Sequence, residues 1–226
     1  MKKILKILVN TICIYLIIVN LIPVGERVVQ TYENKQVYKK ALEEKEERKE
    51  ENEALKEVRE YDWLTISETN IDYPIMWKEN DNSYYLSHDM NGNKSIHGSI
   101  FYEGFYKPHE SYVDVIYGHC MKDGTMFNNL HKFKRNEETF RKSELTIELK
   151  DGTIKRYKPL GLYVTNSNFF YTTLYKKEPL EGIKTIKENS FYDIDVEYNE
   201  NSEVIVMMTC SYDNEGDRLF VFYISE

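Results

Sequence analysis

VIVMMTCSYDNEGDRLFVFYI, residues 204–224, decides the fold. Two apolar runs, Val204–Cys210 and Leu219–Ile224, stand on either side of a polar loop that holds Gly216. Both runs have the length and composition of strands. The same pattern recurs upstream in WLTI (63–66), IDYPIM (71–76), SIFY (99–102), VDVIYG (113–118), LTIEL (145–149) and TIKRYKPLGLYVT (153–165). Lys150-Asp151-Gly152-Thr153 joins two of these as a hairpin, because Asp-Gly readily takes the positive φ angles of a tight turn. Two segments read as helical, TMFNNLHKF (125–133) and EPLEGIKTIKENS (178–190), the second preceded by a Ser/Thr-rich loop. Many short strands and few helices predict a mostly β domain, either barrel or sandwich. The 19 tyrosines are spread through these strands, as suits a half-buried sheet surface.

Ahead of this body the sequence changes character. Residues 26–73 contain neither Gly nor Pro, and ALEEKEERKEENEALKEVRE (41–60) holds nine acids and five bases among good helix formers. Its apolar positions, Val37, Ala41, Ala54, Leu55 and Val58, are too sparse for a sustained heptad, which predicts a solvated helical spacer, or a helix whose thin apolar stripe packs on the following domain, rather than a coiled coil. Further back, ILVNTICIYLIIVNLIPV (7–24) runs for eighteen residues without a charge, behind Lys2, Lys3 and Lys6. That length is near the minimum for crossing a hydrocarbon core of about 30 Å. Pro-Val-Gly-Glu-Arg (23–27) makes a poor cleavage site, so the segment reads as an uncleaved signal anchor rather than a cleaved signal. The lysines keep the N-terminus cytoplasmic and send the rest outside, with Cys13 in the bilayer. The expected organisation is an anchor over 1–25, a charged helical juxtamembrane segment over 26–60 and a catalytic domain over 61–226.

Composition bounds the chemistry. With 41% hydrophobic and 30% charged residues in 226, there is material for one core and no case for a disordered chain. The formal charge is −8, and beyond residue 25 it is −11. So acidic a body lacks the Lys/Arg surface that phosphate contacts need, which excludes general nucleic-acid binding. The 3 cysteines are too few for a disulfide scaffold and have no CxxC spacing, so neither a structural zinc site nor any other cofactor is expected.

Cys210 closes a strand and opens onto a polar loop, a position where a rigid sheet holds a nucleophile yet leaves it accessible. A buried inert thiol fits the same residue equally well. His119 also ends a strand, in VDVIYGHCMKDGTMF, and an imidazole can support a thiolate and then hand a proton to a leaving amine. Arg218 opens the last strand and offers a fixed cation to an oxyanion, unless Asp217 or Glu215 merely pairs with it.

His119, then Thr209-Cys210 at a strand end, then Arg218 opening the next strand is an order that resembles the sortases, cell-surface cysteine transpeptidases of Gram-positive bacteria. YGHCMKDGTMFNNLHKF resembles the segment around the histidine in class B sortases, and DNSYYLSHD with SIHGSIFYE resembles the strands upstream of it. The resemblance covers residues 61–226 and implies a closed sortase-type β-barrel with N-terminal helices and a helix between the late strands. It further implies Cys210, His119 and Arg218 as catalytic residues and Thr209 as a substrate contact. Cys210 would attack a C-terminal sorting signal at its Thr and form a thioacyl enzyme. His119 would shuttle the protons. The partners implied are surface proteins bearing such a signal, a peptidoglycan precursor amine as acceptor, and the membrane. Two departures stand out. The family's Thr-Leu-x-Thr-Cys appears here as Val206-Met207-Met208-Thr209-Cys210, and Cys120 follows the histidine where Asn is common, which puts a second thiol close in sequence to the imidazole.

Other readings are a hydrolytic cysteine peptidase and an inactive, membrane-tethered peptide-binding β-domain. In a papain-like layout the cysteine precedes the histidine, whereas here His119 comes first. Asp213, Glu215 and Asp217 share one loop, and the sequence singles out none of them as an acidic third member.

Overall fold

A computed structural model describes residues 2–51, 60–166 and 174–225. The chain forms two compact units, Met1–Lys40 and Ala41–Glu226. One helix, α1 (Lys2–Glu51), runs through the first unit into the second. In the first unit the side chains of the apolar stretch are exposed, Leu16 and Ile17 by more than half. By length and composition this helix suffices to cross a membrane, with a mean hydropathy of 2.1 in its most apolar window. The rest of the predicted spacer, residues 52–59 with Ala54, Leu55 and Val58, lies outside the described residues.

In the second unit eight strands close into a barrel: β1 (Asp62–Ile66), β2 (Ile71–Met76), β3 (Ile100–Tyr102), β4 (Val113–Tyr117), β5 (Leu145–Glu148), β6 (Ile154–Asn166), β7 (Val204–Cys210) and β8 (Asp217–Ser225). Their order around the barrel is β1-β2-β3-β4-β7-β8-β6-β5, with β5 returning to β1. This decides between the barrel and the sandwich. Closure leaves no sheet edge unpaired. The end of α1 lies on this barrel. Lys45 Nζ sits 2.7 Å from Asp72 Oδ1 and 3.2 Å from Thr65 Oγ1, and 4.5 Å above the Trp63 ring.

α2 (Leu130–Arg135) and α3 (Glu137–Lys142) follow β4, and α4 (Pro179–Asn189) sits between β6 and β7. The helix predicted over 125–133 is thus a short 3-10 turn, Phe127–Asn129, continuing into α2. α3 is capped by Asn136, whose side chain accepts from the Thr139 N–H at 3.0 Å. α4 starts with Pro179 in its first turn, and Ile183 and Ile186 are fully buried against Val204, Val206, Phe220 and Phe222. The loop before α4, residues 167–173, lies outside the described residues. DNSYYLSHD is not a strand, as its likeness to strands upstream of the histidine had implied. Asp81 Oδ1 accepts from the Ser83 and Tyr84 N–H groups at 2.9 and 3.1 Å, and this turn starts a 3-10 helix over Tyr84–Leu86.

Candidate active site

Period-2 geometry assembles the site. Val113, Val115 and Tyr117 on β4, Val204 and Val206 on β7, and Phe220, Phe222 and Ile224 on β8 form one buried cluster, with Met208 against it. Side chains alternate between the faces of a strand, so the next positions on this face are His119, Cys210 and Arg218. Register then brings them side by side. β4 and β7 run parallel, with Val113 opposite Val204 and Tyr117 opposite Met208. The same offset sets His119 beside Cys210, and the pairing continues past the strand end through a 3.2 Å bond from the Gly118 N–H to the Met208 carbonyl. Across the antiparallel β7–β8 pair, Cys210 stands opposite Arg218.

The three residues share a cleft of about 420 Å³. Its walls are apolar at Leu86, Phe101, Tyr117 and Met208, with Asn82 adding a polar group and Thr209 also lining it. Cys210, His119 and Arg218 are partly exposed, as groups that meet a solute must be. A larger cavity of about 550 Å³ surrounds Asp62, Tyr102 and His109 at the opposite end of the barrel. No thiol lines it, and its histidine, His109, is bonded to Asp62, so the smaller cleft is the candidate.

Each group is held by backbone. His119 Nε2 lies 2.8 Å from the Leu86 carbonyl. A carbonyl only accepts, so Nε2 carries the proton and Nδ1 is the nitrogen left to act as a base. Gly98, at φ +59, lets the Tyr85–Leu86 backbone come close, for a Cβ there would fall 2.3 Å from the Tyr85 carbonyl oxygen. The His119 carbonyl accepts from the Phe127 N–H at 2.9 Å, which closes the loop after it. Arg218 Nη1 donates to the carbonyls of Gly216 and Asp217 at 3.2 and 3.0 Å. Among the described residues, neither Nε nor Nη2 of Arg218 has a hydrogen-bond partner.

Thr209 turns to the other face, where its hydroxyl donates to the Gly118 carbonyl at 2.8 Å and ties β7 to the histidine strand. Cys120 is buried, its sulfur accepts from Asn128 Nδ2 at 3.4 Å, and burial pushes its thiol up from the ordinary range. Cys120 and Cys210 are both free thiols. Asp213 bonds to Lys134 and Ser211, and Asp217 to Asn214, so both acids are engaged within the loop and its neighbouring helix.

Sequence reasoning missed three parts of the site: Leu86 and Asn82 in the cleft, and His131, whose Nε2 donates to the Cys210 carbonyl at 3.0 Å. The local signal for all three is that Asn82 and Leu86 fall within DNSYYLSHD, and His131 within YGHCMKDGTMFNNLHKF, the segments that carry the resemblance.

Comparison with known proteins agrees with this fold. The family model described as "Sortase domain" matches residues 64–223. Sortase B of Listeria monocytogenes is 31% identical over 163 residues, which is 69% of this chain and 64% of that protein, so the match spans somewhat under two thirds of the relative's length. Among solved structures, Clostridium perfringens sortase B superposes with a TM-score of 0.65 at 27% identity, covering 74% of this chain and 93% of that one. Bacillus anthracis sortase B does so with a TM-score of 0.69 at 25% identity, covering 87% and 98%.

Proposed function

The chain belongs to the sortase family, and on that premise we propose that it is a class B-type cysteine transpeptidase that anchors surface proteins to the cell wall. One observation carries the reading. Cys210, His119 and Arg218 occupy neighbouring positions on one face of three adjacent strands and line a single cleft.

In the proposed reaction Cys210 attacks, as thiolate, the carbonyl carbon of the sorting signal's Thr. The Sγ–C bond forms, and the π electrons move to the oxygen. Arg218 supplies N–H donors to that oxyanion or to the adjoining substrate backbone. The tetrahedral species collapses as the C–N bond breaks, and protonated His119 gives its proton to the departing amine. An incoming amine then attacks the thioester, His119 takes its proton, and Cys210 leaves as thiolate. The fixed Nε2–Leu86 bond assigns the mobile proton to Nδ1. The apolar walls at Leu86, Phe101, Tyr117 and Met208 suit an extended peptide with apolar side chains before its Thr. Thr209, whose hydroxyl is bonded to the Gly118 carbonyl, supports the nucleophile strand and contacts substrate where it lines the cleft.

The partners are surface proteins with a C-terminal sorting signal and an amino group of a peptidoglycan precursor. The apolar part of α1 is a signal anchor with its lysine-flanked end in the cytoplasm and the catalytic domain outside. The test is a transpeptidation assay with a sorting-signal peptide library and an added amine. The wild type joins peptide to amine, while Cys210→Ala and His119→Ala do not. Release of hydrolysed peptide alone, unaffected by the amine, would make the protein a peptidase instead.

A further inference from the structure

A second pair of side chains ties the nucleophile to the histidine segment from outside the cleft. His131, the second residue of α2, is half-buried and donates from Nε2 to the Cys210 carbonyl at 3.0 Å. Burial lowers its pKa from the ordinary histidine value and outweighs the opposing bond to Cys210, so the neutral ring is favoured at neutral pH. The ring stacks on Tyr212, with centroids 6.0 Å apart and planes at 26°. Tyr212 in turn donates from its hydroxyl to the Cys120 carbonyl at 2.8 Å. One accepting carbonyl thus belongs to the nucleophile, and the other to the residue that follows His119.

This placement matters because both groups sit where regular structure stops. β7 ends at Cys210, and β4 ends two residues before His119. The loop after Cys210 is already fastened to α2 by the Lys134–Asp213 ion pair and to β8 by the bond from the Ser211 N–H to the Asp217 carbonyl at 3.0 Å. Holding the loop therefore does not require His131. What His131 and Tyr212 add is a cross-tie between the backbones at the two reacting groups.

We propose that His131 and Tyr212 are positioning residues, which fix the Cys210 and His119–Cys120 backbones so that thiol and imidazole stay at working distance. This rests on the transpeptidase reading. A misplacement of about 1 Å can cost on the order of 10²-fold in rate.

The experiment compares wild type with His131→Phe, which keeps a ring against Tyr212 but loses the donor, and His131→Gln, which keeps an N–H near the same place. Tyr212→Phe, at a largely exposed residue, breaks the tie from its other side. We expect His131→Phe to lower kcat by roughly 10- to 100-fold with KM within about twofold, and His131→Gln to recover most of the loss. Tyr212→Phe should lower kcat in the same direction with an unchanged melting temperature. A His131→Phe kcat within about twofold of wild type would overturn the proposal, as would a glutamine variant no better than phenylalanine. Should His131→Phe not fold, Tyr212→Phe decides alone, and a wild-type kcat there overturns the proposal. Alkylation of Cys210 by iodoacetamide, mapped by peptide mass, needs no peptide substrate. If the wild type forms no acyl enzyme, the transpeptidase reading fails by itself. Slower Cys210 alkylation in His131→Phe would then still support the cross-tie, and an equal rate would reject it.

Discussion

Cys210 and Arg218 face each other as a register pair at the last rung of the β7–β8 ladder. The pairing sets thiol and cation on the same face at adjacent-strand spacing. In the proposed reaction a hydrogen-bond donor so placed meets the charge that develops when the thiol attacks, or the substrate backbone beside it.

Arg218→Ala should therefore lower kcat by about 10²–10³-fold with a smaller change in KM, the usual cost of losing an oxyanion donor. Arg218→Lys should recover little, because an ammonium cannot both donate to the Gly216 and Asp217 carbonyls and present a planar fork to substrate. Steady-state kinetics of both variants check this. Near-normal turnover in Arg218→Ala removes Arg218 from the mechanism.

Gly118 is required by close approach rather than by φ. A Cβ there would fall 2.5 Å from Ile100 Cδ1 and 2.7 Å from Phe127 Cδ2, both deep in the core. Gly118→Ala should destabilise the fold by about 1–3 kcal/mol, as overpacking does. It should also reduce turnover beyond the loss of folded protein, since His119 is the next residue. Urea unfolding and kinetics on the folded fraction separate the two effects.

His109 sits between two buried acids, with Nε2 2.8 Å from Asp62 and Nδ1 3.1 Å from Asp114. Burial works against its charge, but the hydrogen bonds and charges of Asp114 and Asp62 prevail and raise its pKa to about 9. A folded pKa above the unfolded value of about 6.5 gives stability that is complete below that value and is lost as pH rises through about 9. Unfolding free energy should decline between about pH 7 and 10, by at most ~3 kcal/mol from this group. His109→Gln should flatten that decline. A wild-type profile level across this range would show that the cluster does not hold the proton.

Much of this was legible before any coordinates. The β2 and β7 runs coincide with their strands because apolar continuity and flanking turn residues act locally. Cys210, His119 and Arg218 could be picked out because each stands where an apolar run meets polar sequence. What the sequence hid was contact through main-chain carbonyls. Leu86 bonds to His119 from 33 residues away, and Cys210 to His131 from 79 residues away, through an oxygen that every residue carries. No side-chain pattern announces such a partner. The segment around Tyr84 misled for a related reason, since the Asp81 side chain overrode the strand preference of its tyrosines.

The most direct test of the central claim is mass spectrometry of the protein incubated with a sorting-signal peptide in the absence of an acceptor amine. The expected result is a thioacyl adduct that maps to Cys210, is released by added amine, and is absent from His119→Ala. An adduct on Cys120 with Cys210 unmodified, or turnover of the peptide that survives Cys210→Ala, would contradict it.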